Sequence, residues 1–95
     1  MLNTLETLFN LARERKANPV DGSYTNKLLS DKTLSKSKVL EEINELIEAV
    51  EKDSNKIHEA ADVFYHLIIY LEAHNIKIED IEEELVKRKK FNEQN

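Results

Sequence analysis

Apolar residues recur at helical spacing near the start of the chain, at Leu5, Leu8, Phe9 and Ala12. This spacing predicts a first helix over about 4–16, with Asn3 or Thr4 as its N-cap. The single glycine and single proline of the chain both lie in NPVDGSYT (18–25), which interrupts the pattern. The segment TNKLL (25–29) then predicts a short second helix.

A third helix is predicted from about 35–52, after a polar connector at 33–37 that holds capping candidates. Advancing about 100° per residue gathers an apolar stripe on one side of this helix, formed by Val39, Ile43, Leu46 and Val50 and widened by Leu40 and Ile47. The opposite flank carries Lys38, Glu42, Glu45 and Ala49. Glu41 and Glu48 point further toward solvent. We expect the apolar stripe to face the core, with Glu42 and Glu45 at the edge of that core.

A fourth helix is predicted over 55–73, with Ser54 as a capping residue. Its first apolar face consists of Ile57, Ala61, Phe64, Ile68 and Leu71, and most of the rest is covered by Val63, Leu67, Ile69 and Tyr70. A helix that is apolar on most sides is usually buried, so we expect this one to be the central helix. Its polar exceptions, Glu59, Asp62 and His66, have the spacing i, i+3, i+7 and lie in one stripe.

A last helix is predicted over 79–89 on Ile81 and Leu85, and the tail at about 90–95 is expected to fray. The scarcity of glycine and proline argues against a β fold. We therefore predict an all-α fold, a small antiparallel bundle of about four to five helices. The 95 residues predict one domain, 1–95, with a core small enough that self-association would stabilise it.

Composition narrows the function classes further. The net charge of −5 argues against nucleic acid or an anionic membrane as the main partner. Cysteine is absent, which excludes disulfides, thiolate metal sites and cysteine nucleophiles. The chain has neither a signal-peptide pattern nor an apolar run of about 18 residues. These features predict a soluble, cytoplasmic protein.

Two predicted neighbouring helices each carry an i, i+3 pair of acids, Glu42 with Glu45 and Glu59 with Asp62. The short connection makes the helices antiparallel, so the two pairs should face each other. Four packed carboxylates cannot all remain ionised without partners, and a hard divalent cation would relieve them. Ligation by oxygen alone suits Mg²⁺ or Mn²⁺, ions that commonly bind and polarise phosphate chains.

Plainer interpretations compete with this one. Acids at i, i+3 are frequent on solvated helix faces, and EEINELIE (41–48) alone is more typical of surface charge than of a metal site. His66 is more typical of a packed, hydrogen-bonded histidine than of a ligand. Ordinary surface charges are expected at Arg13, Arg15, Lys87 and Arg88, unless the last helix closes over the site.

The acid pattern has a counterpart in known enzymes. EEINE (41–45) followed by EAAD (59–62) resembles the EExxE…ExxD motif of the all-α NTP pyrophosphohydrolase superfamily. Four longer segments resemble the phosphoribosyl-ATP pyrophosphohydrolases of histidine biosynthesis: NPVDGSYTNKLL, SKVLEEINELIEA, EAADVFYHLIIYL and NIKIEDIEEELVKR. The resemblance spans about 5–88. The chain departs from the family at Asp31 and Lys32, near a usual glycine, and at Leu40, which replaces another.

The resemblance implies hydrolysis of phosphoribosyl-ATP to phosphoribosyl-AMP and pyrophosphate by a stand-alone enzyme that forms a homodimer or higher oligomer. It implies Mg²⁺ ligands, with Mn²⁺ as a possible substitute, at Glu42, Glu45, Glu59 and Asp62. Glu41, Glu42 and Glu45 would be the catalytic residues, with Glu41 positioning water. Substrate would be bound by Lys38, Ser23, Tyr24, Thr25 and Lys27, although local capping and packing explain Ser23 and Tyr24 equally well.

Two other functions remain open on the sequence. A house-cleaning pyrophosphohydrolase for non-canonical or deoxy NTPs would share the acid motif but would leave SYTNKLL (23–29) and YHL (65–67) unexplained. A helical interaction module without a catalytic site would use the same acids as surface charge.

Overall fold

The computed structural model describes residues 2–89, and every regular element in that range is a helix. The helices are α1 (Asn3–Ala17), α2 (Tyr24–Ser30), α3 (Lys32–Lys52), α4 (Lys56–Ala73) and α5 (Ile78–Lys87). The predicted all-α bundle is confirmed for these residues. The predicted frayed tail at 90–95 lies outside them. No described helix combines the length and the apolar character that a membrane crossing needs.

The start of α3 differs from the prediction because Asp31 both ends α2 and caps α3. The Leu34 N–H donates to Asp31 Oδ1 at 3.0 Å, and the Asp31 N–H donates to the Lys27 carbonyl. The predicted connector at 33–37 is therefore wrong, and α3 gains a turn at its N-terminus. Asp31 is one of the departures from the family pattern, and its carboxylate supplies the cap.

The other predicted caps also need correction. Leu2 precedes α1 without a side-chain cap bond, so neither Asn3 nor Thr4 is the N-cap. Between α3 and α4, Asn55 rather than Ser54 is the N-cap residue. Asp53 and Asn55 both adopt left-handed backbone conformations, with φ of 52° and 56°. Asx residues tolerate this region better than most, so a three-residue turn can reverse the chain and lay α4 antiparallel to α3.

The core of the protomer lies where α1, α2 and α4 meet, and it consists of Ala12, Leu28, Leu29, Ile69 and Ala73. Leu28 and Ile69 are fully buried. Each contributes on the order of 1.5–3 kcal/mol through burial of its side chain. Tyr65 packs against this core, and its hydroxyl is hydrogen-bonded to Thr25 Oγ1, which ties α2 to α4.

Most of the predicted apolar stripe of α3 does not face the core. Four of its residues are exposed, as are three large apolar residues of the adjacent helix α4. We call these seven residues the apolar face: Leu40, Ile43, Ile47, Val50, Ile57, Phe64 and Leu67. Ile57 is 87% exposed and Phe64 is 53% exposed. The expectation of a wholly buried fourth helix is therefore wrong for the protomer. Its described neighbours α1, α2 and α3 cover only part of its circumference.

An ion cluster centred on the buried Glu72 ties the N-terminal helix to α4 and α5. Glu72 is only 4% exposed, and its carboxylate accepts from Arg13 Nε at 3.1 Å and lies 3.5 Å from Lys16 Nζ. Arg13 also donates to both carboxylate oxygens of Glu79. The Arg13 guanidinium holds the pKa of Glu79 at about 2. The prediction that Arg13 is an ordinary surface charge is wrong, because this cluster links three helices.

Candidate active site

Three predicted acids converge between α3 and α4. Glu42 and Glu45 come from successive turns of α3, and Glu59 comes from the first turn of α4. One carboxylate oxygen from each lies within 4.8 Å of the other two. The antiparallel α3–α4 hairpin produces this convergence, because it places the acid flank of α3 against the acid stripe of α4.

Two of these carboxylates each have a buried oxygen without a hydrogen-bond partner among the described residues. Glu42 is only 6% exposed, and its Oε2 has no hydrogen-bond partner among the described residues, nor does Oε2 of Glu59. Burial, followed by the charge of Glu45, raises the pKa of Glu42 and of Glu59. A buried acceptor without a partner costs on the order of 1–3 kcal/mol. The cluster therefore favours a proton or a cation between its oxygens.

Asp62 belongs to a second set that overlaps the first. Its Oδ2 lies 3.4 Å from His58 Nε2, and one ligand atom each of His58, Glu59 and Asp62 lie within 4.8 Å of one another. The structure thus brings together two sets that share Glu59, rather than one set of four carboxylates. Sequence reasoning missed His58. Its i, i+4 spacing to Asp62 was the available signal, because residues four apart share a helix face.

Lys38 lies at the other edge of the acid cluster. Its Nζ is 3.2 Å from Glu41 Oε2 and 3.7 Å from Glu42 Oε1. The hydrogen bond to Glu41 raises the pKa of Lys38, which keeps the ammonium charged. The Glu41 side chain is half exposed and lies outside the convergent sets among the described residues. Glu48 is exposed and pairs with Lys52, as its predicted outward position requires.

His66 connects α4, the helix of Glu59 and Asp62, to α2. Its Nδ1 lies 2.8 Å from the Asp62 carbonyl oxygen, and its Nε2 lies 3.0 Å from the Tyr24 hydroxyl. Since a carbonyl oxygen only accepts, Nδ1 donates, and in the neutral ring Nε2 accepts from Tyr24. Burial raises the pKa of Tyr24, so the hydroxyl retains its proton. The prediction of a packed, hydrogen-bonded His66 is confirmed.

The remaining substrate-binding candidates divide into two groups. Ser23 and Thr25 have structural partners, because Ser23 Oγ accepts from the Asn26 N–H and Thr25 is bonded to Tyr65. Tyr24 and Lys27 are exposed and, together with Ser23, line a cavity of about 630 Å³ between the end of α1 and α2. The structure therefore keeps Tyr24 and Lys27 accessible to a ligand and assigns Thr25 to internal packing.

The raised pKa of Glu42 predicts how the stability of the metal-free protein varies with pH. Protonation of Glu42 favours the folded chain, because its folded pKa lies above the ordinary value of 4.5. This stabilisation is fully present below pH 4.5 and is lost as the pH rises through the raised pKa. In a chelating buffer, the thermal midpoint of the wild type should therefore rise relative to Glu42→Gln as the pH falls from neutral toward 4.5. Parallel midpoints for the two proteins across that range would contradict the prediction.

Known proteins place this chain in a family. The family model described as phosphoribosyl-ATP pyrophosphohydrolase matches residues 3–89, which include all five helices. A phosphoribosyl-ATP pyrophosphatase of Clostridium acetobutylicum is 50% identical over 90 residues, which cover 88% of this chain and 79% of the relative. One from Bacillus cereus is 42% identical over 93 residues, covering 93% of this chain and 85% of the relative. Helices α3 and α4, which carry the acid cluster, lie inside the matched range. The chain belongs to the phosphoribosyl-ATP pyrophosphohydrolase family.

Proposed function

We propose that the chain hydrolyses phosphoribosyl-ATP between its α and β phosphates, releasing phosphoribosyl-AMP and pyrophosphate, the second step of histidine biosynthesis. The observation that carries the proposal is the convergence of Glu42, Glu45 and Glu59 within a chain that matches the family along 3–89. The named activity of the relatives and the carboxylate geometry agree. A cytoplasmic location follows from a substrate that is an intracellular nucleotide.

We further propose that Glu42, Glu45, Glu59 and Asp62 hold Mg²⁺, with Mn²⁺ as a substitute. The fit rests on the donor set, which offers carboxylate oxygens, and on the unpartnered buried oxygens of Glu42 and Glu59. A hard cation would satisfy both oxygens and relieve the repulsion from Glu45. When bound, Mg²⁺ supplies charge neutralisation for a phosphate chain.

The other residues of the site have roles that follow from their positions. Lys38, charged and one-quarter exposed, can donate to a phosphate oxygen beside the acid cluster. Glu41 lies at the solvent side of that cluster and can accept a proton from an attacking water. The water then adds to the phosphorus, the bridging P–O bond breaks, and pyrophosphate leaves without a covalent enzyme intermediate.

A substrate panel tests this function directly. Purified protein with Mg²⁺ would be given phosphoribosyl-ATP, ATP and each deoxy NTP at equal concentration, and pyrophosphate release would be measured. We expect phosphoribosyl-ATP to be the preferred substrate. Strong preference for a plain deoxy NTP would instead favour the house-cleaning activity, and release from none of them would leave only the interaction module.

We also propose that the enzyme is a homodimer that buries the apolar face. Seven large apolar side chains form this face in a protomer with a small core, and burial of such surface drives association. A second copy is the occupant that the family resemblance implies.

Phe64→Glu should convert the dimer to a monomer. The two-fold axis of a dimer would place two new carboxylates in the interface, each desolvated and without a designed partner. Light scattering should give a mass near 11.1 kDa for the variant and twice that for the wild type. Val20→Glu is the matched control, since Val20 is 48% exposed and lies outside the apolar face. A Phe64→Glu dimer, or a monomeric wild type, would refute this interface.

A further inference from the structure

We propose that the cavity between α1 and α2 binds the phosphate monoester on the phosphoribosyl group of the substrate. This inference rests on the proposed function. The substrate of that reaction has two anionic ends, a triphosphate on one ribose and a single phosphate on the other. The acid cluster can hold only the triphosphate, through a cation, because its carboxylates repel a bare phosphate.

The cavity has the size and charge that a sugar phosphate needs. Its volume is about 630 Å³, and Arg15 and Lys27 line it from α1 and α2, respectively. Asp21 lines it as well, and so does Lys16, whose ammonium is directed to Glu72 and Asn75. The positive charges therefore outnumber the single carboxylate in a protein whose net charge is −5. Such a local excess attracts a dianion.

Arg15 and Lys27 differ from Arg13 and Lys16, which also line cavities in this region. Neither Arg15 nor Lys27 forms an ion pair within residues 2–89, whereas Arg13 pairs with Glu72 and Glu79, and Lys16 pairs with Glu72. The neighbouring cavity is lined by Arg13, Lys16, Lys77 and Glu72, and Lys77 is its one cation without an ion pair within residues 2–89. A guanidinium and an ammonium without carboxylate partners can each donate to phosphate oxygens.

The wall of the cavity is held in place by Asn26. Its Nδ2 donates to the Arg15 carbonyl at 2.7 Å, and its Oδ1 accepts from the Val20 N–H at 2.9 Å. Its own backbone N–H donates to Ser23 Oγ, which also accepts from Arg15 Nη1 at 2.7 Å. These bonds fix the loop 18–23 against α2 and orient the Arg15 guanidinium before any ligand arrives. Preorganisation of this kind reduces the entropic cost of binding.

Tyr24 joins this cavity to the acid site. It lines the cavity, and its hydroxyl is bonded to His66 on the same α4 stripe as Glu59 and Asp62. A substrate that spans Tyr24 could place its triphosphate at the acids and its monoester between Arg15 and Lys27. The cavity would then distinguish phosphoribosyl-ATP from an ordinary NTP, which lacks the second phosphate.

The test compares Lys27→Gln and Arg15→Gln with the wild type. We expect KM for phosphoribosyl-ATP to rise at least about tenfold in each variant, since a charge-assisted hydrogen bond contributes about that factor. We expect a much smaller change in kcat. The inhibition constant of ATP, which has no phosphoribosyl group, should stay at the wild-type value. Ribose 5-phosphate should bind the wild type in calorimetry and bind Lys27→Gln at least about tenfold more weakly.

Lys36→Gln is the matched control, because Lys36 is an exposed lysine of α3 outside the cavity and should behave as wild type. The side chain of Lys27 makes no hydrogen bond within residues 2–89, so its variant tests binding even if Arg15→Gln loosens the loop. Unchanged KM and unchanged ribose 5-phosphate binding in Lys27→Gln would overturn this inference and leave the proposed function intact. A wild type that neither hydrolyses phosphoribosyl-ATP nor binds ribose 5-phosphate would overturn the proposed function as well.

Discussion

Glu42→Gln should reduce pyrophosphate release by at least about 100-fold while raising the thermal midpoint of the metal-free protein. Activity should fall because Glu42 is the most buried carboxylate of the acid cluster. Even residues that only hydrogen-bond to metal ligands typically change metal affinity or activity by about 10–100-fold when they are mutated. The gain follows because the amide removes a buried charge that repels Glu45. A change that stabilises the fold and eliminates activity marks a group retained for chemistry.

The matched control is Glu48→Gln, on the same helix but exposed and paired with Lys52. It should keep wild-type activity. Added Mg²⁺ should raise the midpoint of the wild type and of Glu48→Gln in proportion to the logarithm of its concentration, and should leave Glu42→Gln nearly unchanged. Full activity in Glu42→Gln, or an equal Mg²⁺ response in all three proteins, would contradict the assignment of this site.

Arg13→Met should destabilise the fold by about 3 kcal/mol, because it leaves the buried Glu72 carboxylate without its closest cation. Lys16 remains at 3.5 Å and limits the loss. The thermal midpoint should fall by about 10 °C or more for a domain of this size. Methionine retains most of the aliphatic packing, so the change reports the charge rather than the volume.

A double-mutant cycle separates this ion pair from general packing. In a Glu72→Gln background, the same Arg13→Met change should cost much less, because no buried charge remains to be compensated. Arg88→Met is the surface control: Arg88 and Glu84 are both at least half exposed, and their pair should contribute no more than about 0.5 kcal/mol. Equal costs of Arg13→Met in both backgrounds would show that the carboxylate is not what Arg13 stabilises.

Much of the candidate site was predictable because it depends on local geometry. Helical periodicity placed Glu42 and Glu45 on one flank of α3 and Glu48 outside it, and the structure has the same arrangement. Side chains three or four residues apart share a helix face wherever the helix packs. The pairing of Asp62 with His58 follows the same rule, since the two residues are four apart on α4. The division of the acids into two sets that share Glu59 was not predictable, because it depends on how α3 packs against α4.

The sequence by itself determined that the chain is helical, which residues share each helix face, and that acids from two helices resemble the motif of one enzyme superfamily. Only the tertiary structure decided what each face meets. It exposed the apolar stripe of α3, and it joined Arg13 to Glu72 across 59 residues of chain. It also formed a cavity lined by Tyr24, which bonds to His66, and by Arg15 and Lys27, which form no ion pair among residues 2–89. The physical reason is that backbone periodicity is encoded within a few residues, whereas burial and ion pairing depend on contacts between distant segments, which form only when the helices pack.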